Sequence, residues 1–352
     1  MRIIFVLTYP SYHTIADRAE WLRWDNRDRR MPGLLAAMGV DVELWGVGRE
    51  AFETQSDLPG LSPYPIRLFE ASRAGAKSRD HVSDAMAEAA REDPADLFVL
   101  IGTNGGAGYH LFDKVLRAGR RRFAVIIGGD YWSRIVPHAT FLFPESQIQV
   151  EALAAPRRLF RKPIPRDRME LLPKTIDTER FRPLADSRKD WDVVAVARLA
   201  RWKRFDEIGE LSATYRIAVA GGGPQAKQLA KRYPAIEWLG HVAHGEVPGL
   251  LNRSRLYFHA GRREYHPRAI PEAMACGLPV IAFNDHFGPD VVPRSCGALV
   301  DIHSYEAAVS GLLHDPRRRA QMGESARAHV VATHGPTSSE HACRTLMRIA
   351  AE

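Results

Sequence analysis

The chain has 352 residues, of which 45% are hydrophobic and 26% are charged. These values are typical of globular proteins and exclude a mostly disordered or collagen-like chain. Lysine and arginine number 49 against 42 aspartates and glutamates, and the net charge of +7 suits an anionic ligand or an acidic membrane surface. The length predicts two domains, each large enough to bury a core.

The cysteines and the apolar runs bear on the compartment. Cys276, Cys296 and Cys343 are odd in number and lack paired-ligand spacing, which argues against a disulfide scaffold and a zinc site. The apolar run at 1–7 is too short for a signal peptide, and no later run reaches the roughly eighteen residues of a membrane span. We therefore expect a cytoplasmic protein with, at most, weak peripheral membrane contact.

The first half of the sequence alternates short apolar runs with amphipathic stretches. The predicted strands are 3–7, 42–45, 66–69, 97–101, 123–127 and 140–143. Helices are predicted at 31–38, with Gly39 as the C-cap, and at 82–91. This βαβ pattern predicts a parallel sheet covered by helices, with ligands outside the carboxyl ends of the strands.

A second βα series follows the segment 156–183, which is rich in proline, arginine and lysine. Its predicted strands are 193–197, 217–220, 236–239, 256–259 and 280–283, and its predicted helices are 225–232, 247–253 and 272–276. The tail 305–351 is helical in pattern. We therefore predict two Rossmann-like doubly wound domains over 1–165 and 166–334, with a C-terminal helix in 335–352 that can cross back to the first domain.

Two glutamates, Glu264 and Glu272, are separated by seven residues after the strand at 256–259. A loop carboxylate and a second one near a helix N-terminus can hold sugar and ribose hydroxyls, while the outward-pointing N–H groups of the helix receive a phosphate. The alternative is that Glu264 is a loop acid and Glu272 a first-turn residue favoured by the helix dipole.

Arg198 and Lys203 follow the strand at 193–197. A guanidinium binds two phosphate oxygens in a planar fork and a lysine adds a mobile charge, so the pair suits a diphosphate leaving group. Both are hydrophilic loop residues, and we expect that replacing either one leaves the fold intact. The alternative is a pair of solvated cations before a surface helix.

Two glycine-containing turns follow other strands of this half. Gly221, Gly222 and Gly223 come after the strand at 217–220 and let a ligand approach the backbone closely. The segment Leu239-Gly-His-Val242 can offer main-chain groups to a nucleotide base. A plain tight turn explains the glycine run equally well.

The order and spacing of these segments resemble the GT-B glycosyltransferases, in particular the retaining group numbered family 4. The likeness covers mainly the second half. Its motifs are Val196-Ala-Arg-Leu with Lys203, Gly221-Gly-Gly-Pro, Leu239-Gly-His-Val, Glu264 through Glu272, and Ala273-Met-Ala-Cys-Gly-Leu-Pro-Val-Ile281, with Leu172 to Pro183 as the interdomain segment. The resemblance implies two domains facing a central cleft, an acceptor in the first and a nucleotide-sugar donor in the second.

The resemblance also implies roles for individual residues. Arg198 and Lys203 would neutralise the donor diphosphate, and Glu264 would face the transferred sugar. The other donor-binding candidates are Glu272 at the ribose, Gly222 and Gly223 at the turn, Val242 at the base, and His266, Arg268 and Ala269. The amides of the last two and the Arg268 side chain would compensate for Pro267, which has no N–H to offer a phosphate.

The first half departs from the family. Residues 8–13 replace its glycine-rich loop, and Gly128-Gly-Asp130 stands where many members have a histidine. The candidates for the acceptor side are Tyr12, His13, Gly105, Gly106, His110 and Asp130. For His110 the alternative, and the more usual case, is a helix histidine with a structural partner.

The reaction implied by the likeness is transfer of a hexose-like unit from a nucleoside diphosphate sugar to a hydroxyl or amine, with retention of configuration. The acceptor would be a small molecule, a glycan or a lipid-linked molecule, and no nucleic acid partner is expected. The acceptor would attack on the face from which the diphosphate leaves, with a phosphate oxygen taking the proton. A double displacement with Glu264 as nucleophile is the other route.

Two other functions compete with this one. An NAD(P)-dependent Rossmann enzyme is suggested by the glycines at 102–108, although no three of them fit G-x-G-x-x-G. A basic, non-enzymatic binder of nucleic acid or lipid headgroups is suggested by the arginines at 157–168. Asp190-Trp-Asp192 is the one D-x-D motif and precedes its strand, so we expect neither a metal nor another cofactor.

Overall fold

The computed structural model describes residues 1–11, 18–22, 26–129, 131–155, 162–185, 187–262, 264–285 and 287–352. The chain divides into two compact units, Met1–Pro173 with Ser339–Glu352, and Lys174–Ser338. The division falls after Pro173 rather than after residue 165, because the amides of Glu170 and Leu172 donate to carbonyls of Leu142 and Pro144 in the first unit. The roles of the two domains stay predictions.

The first unit is built on a seven-stranded sheet in the order β3-β4-β2-β1-β5-β6-β7. Only the pair β3 and β4 is antiparallel among these strands. The strands are β1 Arg2–Pro10, β2 Asp41–Gly48, β3 Phe52–Gln55, β4 Pro65–Glu70, β5 Leu97–Ile101, β6 Phe123–Ile126 and β7 Phe141–Phe143. The sequence pattern missed β3, a short edge strand whose side chains are all at least partly exposed.

Five helices precede the second unit in the described chain: α1 Arg18–Leu22, α2 Arg27–Ala37, α3 Asp84–Glu92, α4 Gly106–Leu111 and α5 Gln147–Ala154. The start of α2 is fixed by Asn26, whose side chain accepts the amide of Arg29. Gly39 follows with φ +82°, the left-handed conformation predicted for a C-cap glycine. The helix begins four residues earlier than the apolar pattern indicates, because its first turn buries Arg27 and Arg29.

The second unit is built on a six-stranded, wholly parallel sheet in the order β10-β9-β8-β11-β12-β13. The strands are β8 Trp191–Val196, β9 Ile217–Ala220, β10 Glu237–Gly240, β11 Ser254–His259, β12 Val280–Phe283 and β13 Gly297–Val300. Only β13 was missed from sequence. Because the strands are parallel, the loops that follow them meet at one edge of the sheet.

Helices cover both faces of this sheet. They are α6 Phe205–Leu211, α7 Ala226–Arg232, α8 Val247–Asn252, α9 Ala269–Ala275, α10 Tyr305–His314 and α11 Pro316–His334. The sequence pattern missed α6 and placed the start of α9 at residue 272. Glu272 is therefore the fourth residue of α9, and it is buried.

The final helix, α12 Glu340–Ala351, belongs to the first unit. Its buried side chains Cys343, Leu346 and Ile349 join the core that contains Met31 and Leu35 of α2. Within the described residues, no helix is both long and apolar enough to cross a membrane.

Candidate active site

A cavity of about 560 Å³ lies at the carboxyl edge of the second sheet. Three strands supply it, since its lining comes from the ends of β8, β9 and β10. The lining residues are Val196, Ala197, Arg198, Ala220, Gly221, Gly222, Gly223, His241 and Val242. Four predicted site residues thus come together here: Arg198, Gly222, Gly223 and Val242. His241 was missed as a site residue, although it lies in the quoted Leu239-Gly-His-Val motif.

The glycine run is required by its closeness to the loop after β8. Gly221 has φ +143°, and a Cβ there would overlap the carbonyl oxygen of Ala197. The Gly221 amide donates to the carbonyl of Gly240 at 2.6 Å, and the Leu199 amide donates to the carbonyl of Gly222 at 2.9 Å. The close approach of Ala197 to Gly221 and the hydrogen bond from Leu199 to Gly222 therefore hold the loop that carries Arg198 against the glycine run on both sides of that residue.

Arg198 and Lys203 have different environments. Arg198 is exposed at the cavity, and in the described part of the chain it makes no hydrogen bond or ion pair. Lys203 lies in a 3₁₀ turn and is only 8% exposed. Its Nζ donates to Oε1 of Glu264 at 2.5 Å. The predicted pair therefore consists of one surface cation with no partner among the described residues and one buried, ion-paired cation.

Glu264 is held by two side chains, Lys203 on one oxygen and His259 on the other. His259 Nε2 lies 2.9 Å from Glu264 Oε2. Partial burial alone would raise the pKa of Glu264, but the hydrogen bond from His259 and the charge of Lys203 outweigh it and lower that pKa to about 2. Glu264 is an ionised acceptor at neutral pH. Sequence reasoning missed His259, whose only signal is its place as the last residue of a predicted strand.

Glu272 forms a separate cluster with residues from two loops. Nε of Arg268 donates a hydrogen bond to Oε1 of Glu272 at 2.8 Å, and Nε2 of His244 lies 2.8 Å from the same oxygen. His244 comes two residues after Val242 of the cavity, so this contact links α9 to the loop after β10. The structure brings the two donor-binding candidates Arg268 and Glu272 into contact, and it adds His244, which the sequence analysis did not select.

His266 and Ala269 have surroundings that their predicted donor-binding role does not anticipate. His266 is buried, and its ring centroid lies 5.0 Å from that of His334 at the end of α11. Its carbonyl accepts Nζ of Lys174 at 2.7 Å. Ala269 packs against the apolar core of this unit. The described lining of the cavity includes neither residue.

On the acceptor side, Tyr12, His13 and Asp130 lie outside the described residues. Gly105 and Gly106, which we interpreted as a loop bordering an acceptor cleft, are buried at the start of α4. His110 Nε2 lies 2.9 Å from Oδ1 of Asp84. This contact agrees with the alternative in which His110 is a helix histidine with a structural partner. An acceptor role for any of these residues stays a prediction.

The glycines of 102–108 have a packing role. A Cβ on Gly105 would overlap the carbonyl of Thr8, and one on Gly106 would overlap the carbonyls of Arg79 and His81. Gly105 lets α4 approach β1 closely and Gly106 lets it approach the segment 79–81, which explains these glycines without a dinucleotide.

The D-x-D carboxylates lie at the amino end of β8, opposite the cavity. Asp190 is ion-paired with Arg253 at 2.5 Å and Asp192 with Arg255 at 2.9 Å. The described residues contain no group of three or more histidine, cysteine or acidic side chains arranged to hold a metal.

Two α/β units with mainly parallel sheets, the second with a glycine-lined cavity at its carboxyl edge, place the chain in the GT-B fold class. Solved structures share this fold over the whole chain. Sucrose-phosphate synthase from Thermosynechococcus elongatus gives a TM-score of 0.72 at 16% identity, covering 100% of this chain and 98% of that one. Anabaena Alr3699/HepE in complex with UDP gives 0.68 at 16% identity, covering 99% and 100%.

The second unit carries the more specific identification. Residues 177–329 match the family model described as Glycosyl transferases group 1. This segment therefore matches that family, and the resemblance to glycosyltransferases predicted from its motifs is confirmed at that level.

Curated relatives match part of the chain. The GDP-mannose-dependent alpha-mannosyltransferase of Mycobacterium tuberculosis is 30% identical over 162 residues, covering 41% of this chain and 43% of that protein. The GDP-mannose-dependent alpha-(1-6)-phosphatidylinositol monomannoside mannosyltransferase of Mycolicibacterium smegmatis is 30% identical over 196 residues, covering 45% and 50%. The chain thus spans about half the length, or less, of these relatives.

Proposed function

We propose that the chain is a retaining glycosyltransferase that moves a hexose-type unit from a nucleoside diphosphate sugar to a hydroxyl or amine acceptor. The observation that carries the proposal is the carboxyl edge of the second sheet. There the glycine-lined cavity with Arg198 and the Lys203–Glu264 pair are positioned by the same loop after β8.

Each group suits one part of the donor. The guanidinium of Arg198 offers a planar fork to the diphosphate, and the close-packed glycines expose backbone to it. Lys203 has three N–H donors, one of which is used on Glu264, so two remain for phosphate oxygens. The ionised Glu264 accepts hydrogen bonds from sugar hydroxyls, and the buried Glu272 accepts them from the ribose.

The reaction then needs no group beyond these and the two substrates. The bond from the anomeric carbon to the diphosphate oxygen breaks, and its electron pair leaves with the diphosphate, whose growing charge Arg198 and Lys203 stabilise. The acceptor oxygen or nitrogen bonds to the same face of that carbon. Its proton passes to a phosphate oxygen of the leaving group, and the configuration is retained.

Donor binding is tested by thermal unfolding with GDP-mannose, UDP-glucose and ADP-glucose. GDP-mannose is the first candidate because the curated relatives are named for it. A true donor at 100 times its Kd stabilises the protein by about 2.7 kcal/mol. A donor that binds should also release its nucleoside diphosphate when an acceptor is present, and NMR of the product should show the donor's anomeric configuration. Stabilisation by DNA or anionic vesicles alone would instead support a non-enzymatic binder.

We also propose that transfer is independent of a metal, since Arg198 and Lys203 are the cations assigned to the leaving charge and the D-x-D acids are ion-paired at the far end of β8. Activity should survive EDTA. Loss of activity that Mg²⁺ or Mn²⁺ restores would contradict this.

A further inference from the structure

His259 is a buried titratable group to which the proposed reaction gives no part. It ends β11 and is 3% exposed. One ring nitrogen, Nε2, lies 2.9 Å from Oε2 of Glu264, and the other, Nδ1, lies 3.3 Å from the hydroxyl of Tyr257. The second oxygen of Glu264 is taken by Lys203. The two oxygens of one carboxylate are therefore held by side chains from two different places in the sheet, the end of β11 and the loop after β8.

The hydrogen-bond partners of His259 determine which ring nitrogen carries the hydrogen. An ionised carboxylate only accepts hydrogen bonds, so Nε2 must carry the hydrogen. Burial lowers the pKa of His259, with Lys203 adding to the effect and Glu264 opposing it. The ring is therefore neutral at pH 7, with its hydrogen on Nε2. Its Nδ1 faces the buried Tyr257 hydroxyl, whose single hydrogen can go either to this nitrogen or to the carbonyl oxygen of Val196, each 3.3 Å away. Phe287 packs edge-on against the ring at 5.4 Å and adds no charge.

Gly261 provides the space for this contact. A Cβ at this position would overlap Oε2 of Glu264, and it would lie 2.7 Å from Nε2 of His259 and 3.1 Å from Cδ of Lys203. Even an alanine would push the carboxylate away from the histidine. The backbone at 261 and the side chain at 259 therefore act on the same oxygen.

We propose that His259 is a positioning residue that, with Gly261 leaving room for the contact, fixes the orientation and the ionised state of Glu264 toward the donor sugar. The inference rests on the proposed role of Glu264 at the transferred sugar. With both oxygens anchored, the carboxylate presents its remaining lone pairs in one direction. With Lys203 alone, it can rotate about its last torsion, and a misplaced carboxylate loses transition-state contacts more than ground-state ones.

Three variants separate this role from simple packing. His259→Phe keeps a ring of similar size without a donor, His259→Gln offers an amide N–H in place of Nε2, and Gly261→Ala keeps the histidine while displacing the carboxylate. We expect His259→Phe and Gly261→Ala to lower kcat by about 10-fold or more with donor KM changed little, and His259→Gln to recover most of the loss. The double variant that combines His259→Gln with Gly261→Ala should behave like Gly261→Ala alone.

The pH profile is a readout that packing does not move. Without the histidine donor, the pKa of Glu264 rises toward its ordinary value, so kcat/KM of His259→Phe should fall below about pH 5, where the wild type stays flat. An unchanged profile, or equal losses in the Phe and Gln variants, would overturn the proposal. Thermal unfolding of each variant at pH 7 identifies one that is merely unfolded.

Nitrogen-15 NMR of histidine-labelled full-length protein tests the inference without turnover. The His259 signals are assigned by their loss in His259→Gln. We expect the neutral tautomer with hydrogen on Nε2, and a shift of these signals in Glu264→Gln. A tautomer with hydrogen on Nδ1 would refute the inference even in an active enzyme. A wild type that binds and turns over no nucleotide sugar would refute the proposed function, while the tautomer still decides the placement of His259.

Discussion

The contrast between Arg198 and Lys203 gives the sharpest prediction, because two cations assigned to one leaving group have different structural costs. Sequence alone predicts that either can be replaced without loss of stability. For Lys203 that prediction is changed by its burial and by its 2.5 Å hydrogen bond to Glu264, because replacing it removes a buried ion pair.

The magnitudes follow from the environments. A charge-assisted hydrogen bond contributes about 1.5–3 kcal/mol. Because Glu264 is 24% exposed and keeps His259 when Lys203 is removed, we expect Lys203→Ala to cost about 2 kcal/mol of unfolding free energy. For a unit of this size that lowers Tm by roughly 4–8 °C. Arg198→Ala removes an exposed side chain and should stay within about 0.5 kcal/mol.

Catalysis should respond alike to both changes. Each variant loses stabilisation of the departing diphosphate, so each should lower kcat by about 10² to 10³. The matched control is Arg201→Ala. Arg201 is an exposed residue of the same loop that is absent from the cavity lining, so its replacement should change neither the free energy of unfolding nor kcat. Thermal melts and initial rates with an accepted donor measure the two effects. A stable, fully active Arg198→Ala, or equal stability losses for Arg198 and Lys203, would refute this reasoning.

Three other predictions concern the glutamates and the second unit. Glu264→Gln should mainly lower kcat and Glu272→Gln should mainly weaken donor binding in calorimetry; equal effects on the donor Kd with kcat unchanged would reduce the pair to a binding patch. Since the pKa of Glu264 is lowered to about 2 from an ordinary 4.5, its stabilising contribution is complete above pH 4.5 and disappears as pH falls through 2. The urea midpoints of wild type and Glu264→Gln should therefore differ most at neutral pH and converge as the pH falls from 4.5 toward 2, and a gap that stays constant with pH would contradict this. A fragment of residues 174–338 should fold and bind the nucleotide more weakly than the full chain without transferring sugar; a folded fragment with no calorimetric affinity would mean that both units build the donor site.

Much of the fold was predictable because its strands are apolar on both faces. The run at 97–101 is buried at every position, and such runs between amphipathic helices leave few alternatives to a parallel sheet. The elements β3 and β13 were missed because each has four residues and partly exposed side chains, which weakens the apolar signal.

The candidate site was predictable only where one local segment carries the information. The Arg198 loop, the glycine run and the segment from Glu264 to Glu272 are each local in sequence, and the GT-B resemblance depends on these segments and their order. The partners of these residues are not local: Lys203 and Glu264 are 61 residues apart, and Glu272 meets His244 28 residues away. Burial of a lysine, or the space left by Gly261, follows from tertiary packing, and no periodicity in the sequence reports it.

The return of α12 to the first unit has a consequence for synthesis. Leu346, Ile349 and their neighbours on α12 complete a core whose remaining members lie before residue 173, yet the whole of Lys174–Ser338 is translated in between. At about 5–20 residues per second, the ribosome needs on the order of ten seconds for that stretch. The second unit is continuous in sequence and can fold during this interval. Until α12 is synthesised, the apolar surface around Met31 and Leu35 stays exposed to chaperones and to misassembly with another nascent chain.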